Sequence, residues 1–205
     1  MKIFRSILIV ILLLSLNTVY ADKNNNKKTI IQNKSSNIEF KNNFPSRIDL
    51  SFSLFSPSNY IFEESYPLLF GLSFNYIHHL FNNLCINAGG FFLFQSHESK
   101  SETYVFLNSY SLGLRYYLHM FDIIYPYIGF NARITWCGES DGYESRNYFA
   151  YGGDPFTGVS IEVRQYLDVF LQYNYILSRV SDDAGTNISG HYFSIGIAYK
   201  GNLFK

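Results

Sequence analysis

GVSIEVRQYLDVFLQYNYI, residues 158–176, holds two runs of alternating character. Val159, Ile161 and Val163 alternate with Ser160, Glu162 and Arg164, and the pattern resumes with Val169, Leu171, Tyr173 and Tyr175. Successive side chains of a β-strand point to opposite faces, so a period of two reads as two strands, each with one apolar and one polar face. The direction of the apolar face decides the fold. Turned inward, it builds a water-soluble barrel or sandwich. Turned outward, it meets lipid and puts Glu162 and Arg164 inside a barrel.

The same alternation runs through most of the chain. By the period-two criterion the strands fall at about 47–55, 66–77, 84–95, 104–118, 124–136, the opening pair, and 192–200, eight in all. The links between them alternate in length. Longer polar segments lie at 56–65, 96–103, 137–154 (CGESDGYESRNYFAYGGD) and 179–191, and short ones at 78–83, 119–122 and 166–168. Long loops at one end and tight turns at the other form the pattern of an up-and-down membrane barrel. The expected fold is therefore all-β, an eight-stranded antiparallel up-and-down transmembrane β-barrel.

The placement of charge argues for oil outside. Charged residues make up 16% of the 205, below the roughly 25% of soluble domains, while aromatics reach 19%. Within the strands, Arg47, Asp49, Arg115, Arg133, Glu162, Arg164 and Lys200 all lie in the polar register. Their neighbours there are mainly Ser, Gly, Asn and Thr. A water-exposed face should carry far more charge, whereas small polar residues with sparse charges suit the narrow interior of an eight-stranded barrel. Asp49, Arg115, Arg133, Glu162, Arg164 and Lys200 are thus read as a lumenal charge network of struts rather than a gate. Asp49 is expected to pair with Lys200 across the closing seam. Glu162 is expected to have an arginine neighbour, reached past Gly129, because an unpaired buried charge is costly. Tyr104, Tyr116, Trp136 and Tyr199 fall near strand ends on the apolar face, as an interfacial aromatic girdle requires.

The N-terminus reads as an export signal: Lys2 and Arg5, the apolar run 7–16, and Val19-Tyr20-Ala21 before the expected cut. Residues 22–45, rich in Asn, Lys and Ser, read as a flexible polar leader, leaving 46–205 for the barrel. The net charge of +0 gives no signal for nucleic acid. His78, His79, His97, His119 and His191 have no metal-ligand spacing, so neither metal nor other cofactor is expected. Cys85 and Cys137 are read at opposite strand ends, more than about 20 Å apart at the rise of a strand, too far for a disulfide.

The signal peptide, the strand YPYIGFNARITW, the opening hairpin and the final HYFSIGIAYK resemble the outer-membrane-protein β-barrel domain family, the small OmpA/OmpX-like barrels of Gram-negative-type bacteria. The resemblance spans about residues 46–201. The chain departs from such families at its end, where Phe204 is penultimate rather than last. The chain is read as a monomer in a bacterial outer membrane, surrounded by lipid. The role read for the chain is structural or cell-surface interaction, with 137–154 as the surface that meets a host or other ligand. Two alternatives stand beside it. One is a membrane enzyme acting on lipid A or phospholipid, for which Ser189-Gly190-His191, with Ser194 beyond, is the nearest nucleophile–base candidate. The other is a soluble periplasmic barrel binding an apolar ligand.

Overall fold

The computed structural model describes residues 46–58, 68–81, 83–96, 103–118, 123–141, 145–180 and 187–201. The expected signal peptide and leader, His97, His119 and Phe204 lie outside these residues. Eight strands follow one another: β1 (Ser46–Pro57), β2 (Leu69–Phe81), β3 (Leu84–Ser96), β4 (Thr103–Tyr117), β5 (Ile124–Asp141), β6 (Ser145–Arg164), β7 (Leu167–Val180) and β8 (Gly190–Gly201). Each pairs antiparallel with the next, and β8 returns to β1, giving a closed barrel. Closure leaves no sheet edge within the wall, which lipid demands because it offers no partner for free backbone groups.

The alternation read in the sequence sets the wall. Leu50, Phe52, Leu72, Phe92, Leu112, Ile134, Leu171 and Ile197 all face outward, and Phe52 is 72% exposed. Their alternate neighbours Asp49, Ser51, Asn131, Arg133, Ser160 and Gln172 face the lumen and are buried. This is the inverse of a soluble core. One row of outward positions runs Trp136, Asn108, Phe92, Leu72, Phe52, Ile195, Leu171, Val159 and back to β5 at Pro126. The row closes ten residues along the strand from where it began, and this stagger is what tilts the strands against the barrel axis.

Several boundaries differ from the sequence reading. The largest concerns 137–154, read as a loop. Here Cys137 to Asp141 extend β5, and β6 begins at Ser145, so only 142–144 lie between the strands. Glycine content and charge suggested a loop, but Gly138, Gly152 and Gly153 serve strand packing. A Cβ on Gly138 would meet the Phe106 ring at 2.2 Å, and one on Gly153 would meet the Phe130 ring at 2.5 Å. The register continues to Ser140↔Ser145, whereas the β6–β7 ladder starts at Ala150↔Val180. The link 166–168 also shrinks: Leu167 and Asp168 belong to β7, and a register shift between Glu162 and Arg164 absorbs the odd residue. Similarly, His78 to Phe81 extend β2.

Candidate functional site

The lumen is packed with side chains in distinct zones. Toward the end that holds Ser46 and Gly201, an ion cluster occupies one side. Arg47 Nε donates to Asp49 at 2.5 Å, and its Nη1 donates to Asp168 at 2.9 Å and to Ser160 at 2.8 Å. Lys200 Nζ lies 2.6 Å from Glu162 and 2.8 Å from Asp168. Asp168 therefore joins charges from β1 and β8 with the hydroxyl of Ser160 on β6. Ala198, opposite both Asp49 and Asp168, leaves the space for these groups to meet across β8.

Arg115 runs from this cluster across the barrel. Its Nη1 reaches Asp49 at 3.1 Å and the Tyr117 hydroxyl at 3.2 Å, and its Nη2 reaches Gln172 at 3.1 Å. The guanidinium lies 4.3 Å from the Tyr127 ring centroid and 5.5 Å from that of Phe156. It is 1% exposed. Tyr127 and Phe156 form, with Ile77, Cys85 and Tyr117, an apolar cluster beside the ions. Gly129 stands between Arg115 and Phe156 in the register. A Cβ there would lie 2.2 Å from the Phe156 ring.

The middle of the lumen centres on Asp154. Arg133 forms two bonds to it, Nε at 2.6 Å and Nη2 at 3.0 Å. Asn131 donates at 2.8 Å and Asn174 completes the set. Arg133 also donates to Ser109 at 2.9 Å and lies 4.7 Å above the Phe91 ring. Asn87 donates to Asn131 at 2.6 Å across Gly113, which separates them in the register. Above this layer the lumen turns apolar. Phe55, Leu69, Phe91, Leu93, Val105 and Leu107 are all buried there.

The residues proposed from sequence are thus distributed unevenly. Asp49, Arg115 and Arg133 lie buried in the lumen. The expected Asp49–Lys200 pair is not the one formed: Asp49 takes Arg47 and Arg115, and Lys200 takes Glu162 and Asp168. Glu162 accordingly has a lysine, not an arginine, for its neighbour, and Gly129 pairs with Phe156 rather than standing by Glu162. Arg164 is exposed, because the register shift after Glu162 takes it out of the lumenal row. Asp154 and Asp168, central here, were hidden in segments read as loop and turn. The signal for both was the unpaired surplus of arginine in the strands, since a buried guanidinium requires a carboxylate. Val105, Leu107, Phe91 and Leu93 were hidden because strands apolar on both faces lose their period at that level.

The aromatic residues Tyr104 and Trp136 face outward toward one end, and Tyr116 and Tyr199 toward the other. Phe92, Phe106, Trp136 and Phe149 extend this into a row of ring contacts across four strands, with neighbouring centroids 5.4–6.4 Å apart. Ser189 and His191 do not assemble. The Ser189 hydroxyl is turned inward, bonded to Asn187 and to the Ser178 N–H. His191 is exposed on the outer face, where the Tyr173 hydroxyl meets its Nδ1 at 2.9 Å. Cys85 and Cys137 are buried free thiols in different lumenal clusters. Among the described residues no group of three or more His, Cys, Asp or Glu is arranged to hold a metal ion.

No family profile matches the chain, and no curated protein sequence matches it. Solved structures do. The chain is similar to Neisserial surface protein A, with a TM-score of 0.55 at 18% identity, over 76% of this chain and 95% of that one. It is similar to Ail, the attachment invasion locus protein of Yersinia pestis, with a TM-score of 0.52 at 13% identity over the same shares. The outer membrane protein OprG from Pseudomonas aeruginosa gives 0.55 at 9%, over 77% and 96%. With its closed antiparallel wall and outward apolar belt, the chain has the fold of the small eight-stranded outer-membrane β-barrels.

Proposed function

We propose that this protein resides in a bacterial outer membrane, exported by its N-terminal signal, and that its role is structural or one of cell-surface interaction. The observation that carries the reading is the combination of an apolar outer belt with a lumen filled from wall to wall. Ion pairs occupy its lower and middle levels, and Phe55, Leu69, Leu93 and Leu107 close the level above. A barrel packed in this way offers its outer ends rather than its interior. The β5–β6 hairpin, paired beyond the start of the β6–β7 ladder, is the segment best placed to meet a host or other surface ligand.

The soluble-barrel alternative requires the opposite polarity of faces, and the lipid-enzyme alternative loses its candidate pair to opposite sides of the wall. The test uses Asn147→Cys, at the exposed hairpin end. In intact cells a membrane-impermeant maleimide should label this variant and leave the parent, with its two buried thiols, unlabelled. The protein should fractionate with the outer membrane and migrate faster on gels unless boiled. Recovery in the soluble periplasm would overturn the location, and labelling only after lysis would overturn the orientation.

A further inference from the structure

A proline stands within the wall. Pro155 lies in the interior of β6, between β5 and β7. Proline has no N–H, so within sheets it is ordinarily confined to edges, strand starts or bulges. In lipid no water can replace the missing donor. The direction of the loss follows from the ladder. Glu162 N donates to Ile123 O on the β5 side at 2.8 Å. Backbone groups alternate along a strand, so even-numbered residues of this part of β6 address β5 and odd-numbered ones address β7. Pro155 turns its nitrogen toward Tyr175. The ladder passes from Gly153↔Leu177 to Phe156↔Asn174, and neither Asp154 and Ile176 nor Pro155 and Tyr175 are paired. By contrast, β7–β8 pairs without interruption from Leu167 to Ile176, and β1–β8 from Ser46 to Pro57.

The same point carries an internal tie. The Asp154 carboxylate, fully buried, accepts the Asn174 amide from β7 while it holds Arg133 and Asn131 of β5. One side chain therefore ties the seam at the point where Pro155 leaves a backbone bond unmade. We propose that the β6–β7 seam at Asp154–Pro155 is the built-in opening point of the wall, and that Asp154 is the latch that keeps it shut from inside. Stability is not uniform across a fold, and segments with fewer backbone bonds open at lower free energy. Here the weak segment is fixed by one residue and held by its neighbour.

Hydrogen exchange on the full chain in lipid vesicles reads this directly. By the same alternation, the amides of Tyr175 and Leu177 donate across the seam at the break, and those of Leu171 and Tyr173 donate across it lower down. The first pair should exchange about tenfold faster than the second, as expected for a separate local opening. Pro155→Ala restores the donor and should bring the first pair down to the level of the second. Asp154→Asn and Asn174→Ala should each speed Tyr175 and Leu177 about tenfold while leaving β1–β8 amides unchanged. Asn174→Ala keeps the Arg133–Asp154 ion pair, so it gives the reading even if Asp154→Asn fails to fold. Equal exchange of both pairs in the parent, or no response to Pro155→Ala, would overturn the opening point. Faster exchange spread over every seam in the latch variants would overturn the latch.

Discussion

Arg115 and Arg164 show how little a residue type says until its register is known. Both are strand arginines, yet one is a buried strut touching β1, β4 and β7 and the other faces solvent. Removing one partner of a buried pair strands the other charge, and such losses run to about 3–5 kcal/mol. Arg115→Met should therefore lower unfolding stability by that order, read from the fluorescence of the single tryptophan, Trp136, in a urea titration. Arg164→Gln should stay within about 0.5 kcal/mol of the parent, as surface substitutions do. Comparable losses in both would show that the register shift after Glu162 is misplaced. The polar face of each strand was legible in the sequence because period two is a property of neighbours. Partner choice was not. Asp49 meets Arg115 from three strands away, and Lys200 meets Glu162 and Asp168 from other strands, through contacts that no local pattern encodes.

At the scale of elements, the β5–β6 hairpin marks where composition misleads. Its sequence CGESDGYESRNYFAYGGD carries the glycines and charges of a loop, but its backbone is paired as far as Ser140↔Ser145. Gly138 and Gly153 lie beneath aromatic rings of neighbouring strands, and Gly152 against the Leu177 backbone, an arrangement visible only after folding. Replacing residues 139–146 by Asn-Gly should close the hairpin at Gly138↔Asn147 with a tight turn. The shortened protein should keep its heat-modifiable migration, and any surface binding carried by the hairpin should disappear. Loss of the folded band would show that the projection is part of the barrel's folding unit. The two lumenal ends explain a second gap in the sequence reading. At the level of Leu93 and Leu107 both faces of the wall are apolar, one toward lipid and one toward the packed interior. Alternation vanishes there, so the apolar upper lumen left no periodic trace.

For the whole molecule, the belt and the filled lumen make separate predictions. A lysine at the lipid face costs roughly 2–4 kcal/mol near mid-bilayer and about 0–1 near the interface. Leu112→Lys, in the body of the belt, should destabilise the barrel in vesicles by the larger amount, and Tyr104→Lys, near its rim, by the smaller. Equal effects would deny a lipid gradient across the belt. The folded protein should also protect both native thiols from maleimide until urea unfolds it, since Cys85 is 3% exposed and Cys137 fully buried. The glycines and alanines of the lumen carry a consequence of another kind. Asn87 meets Asn131 over Gly113, Arg115 meets Phe156 over Gly129, and Arg47 reaches Asp168 past Ala198. Interior volume is thus shared between strands two apart, with the strand between them keeping the passage clear. Interior residues of such a barrel are constrained in threes. A Cβ at position 113 would lie 2.2 Å from the Phe130 carbonyl oxygen and 2.3 Å from the Asn131 amide oxygen, so related sequences should keep glycine there wherever two side chains meet across it.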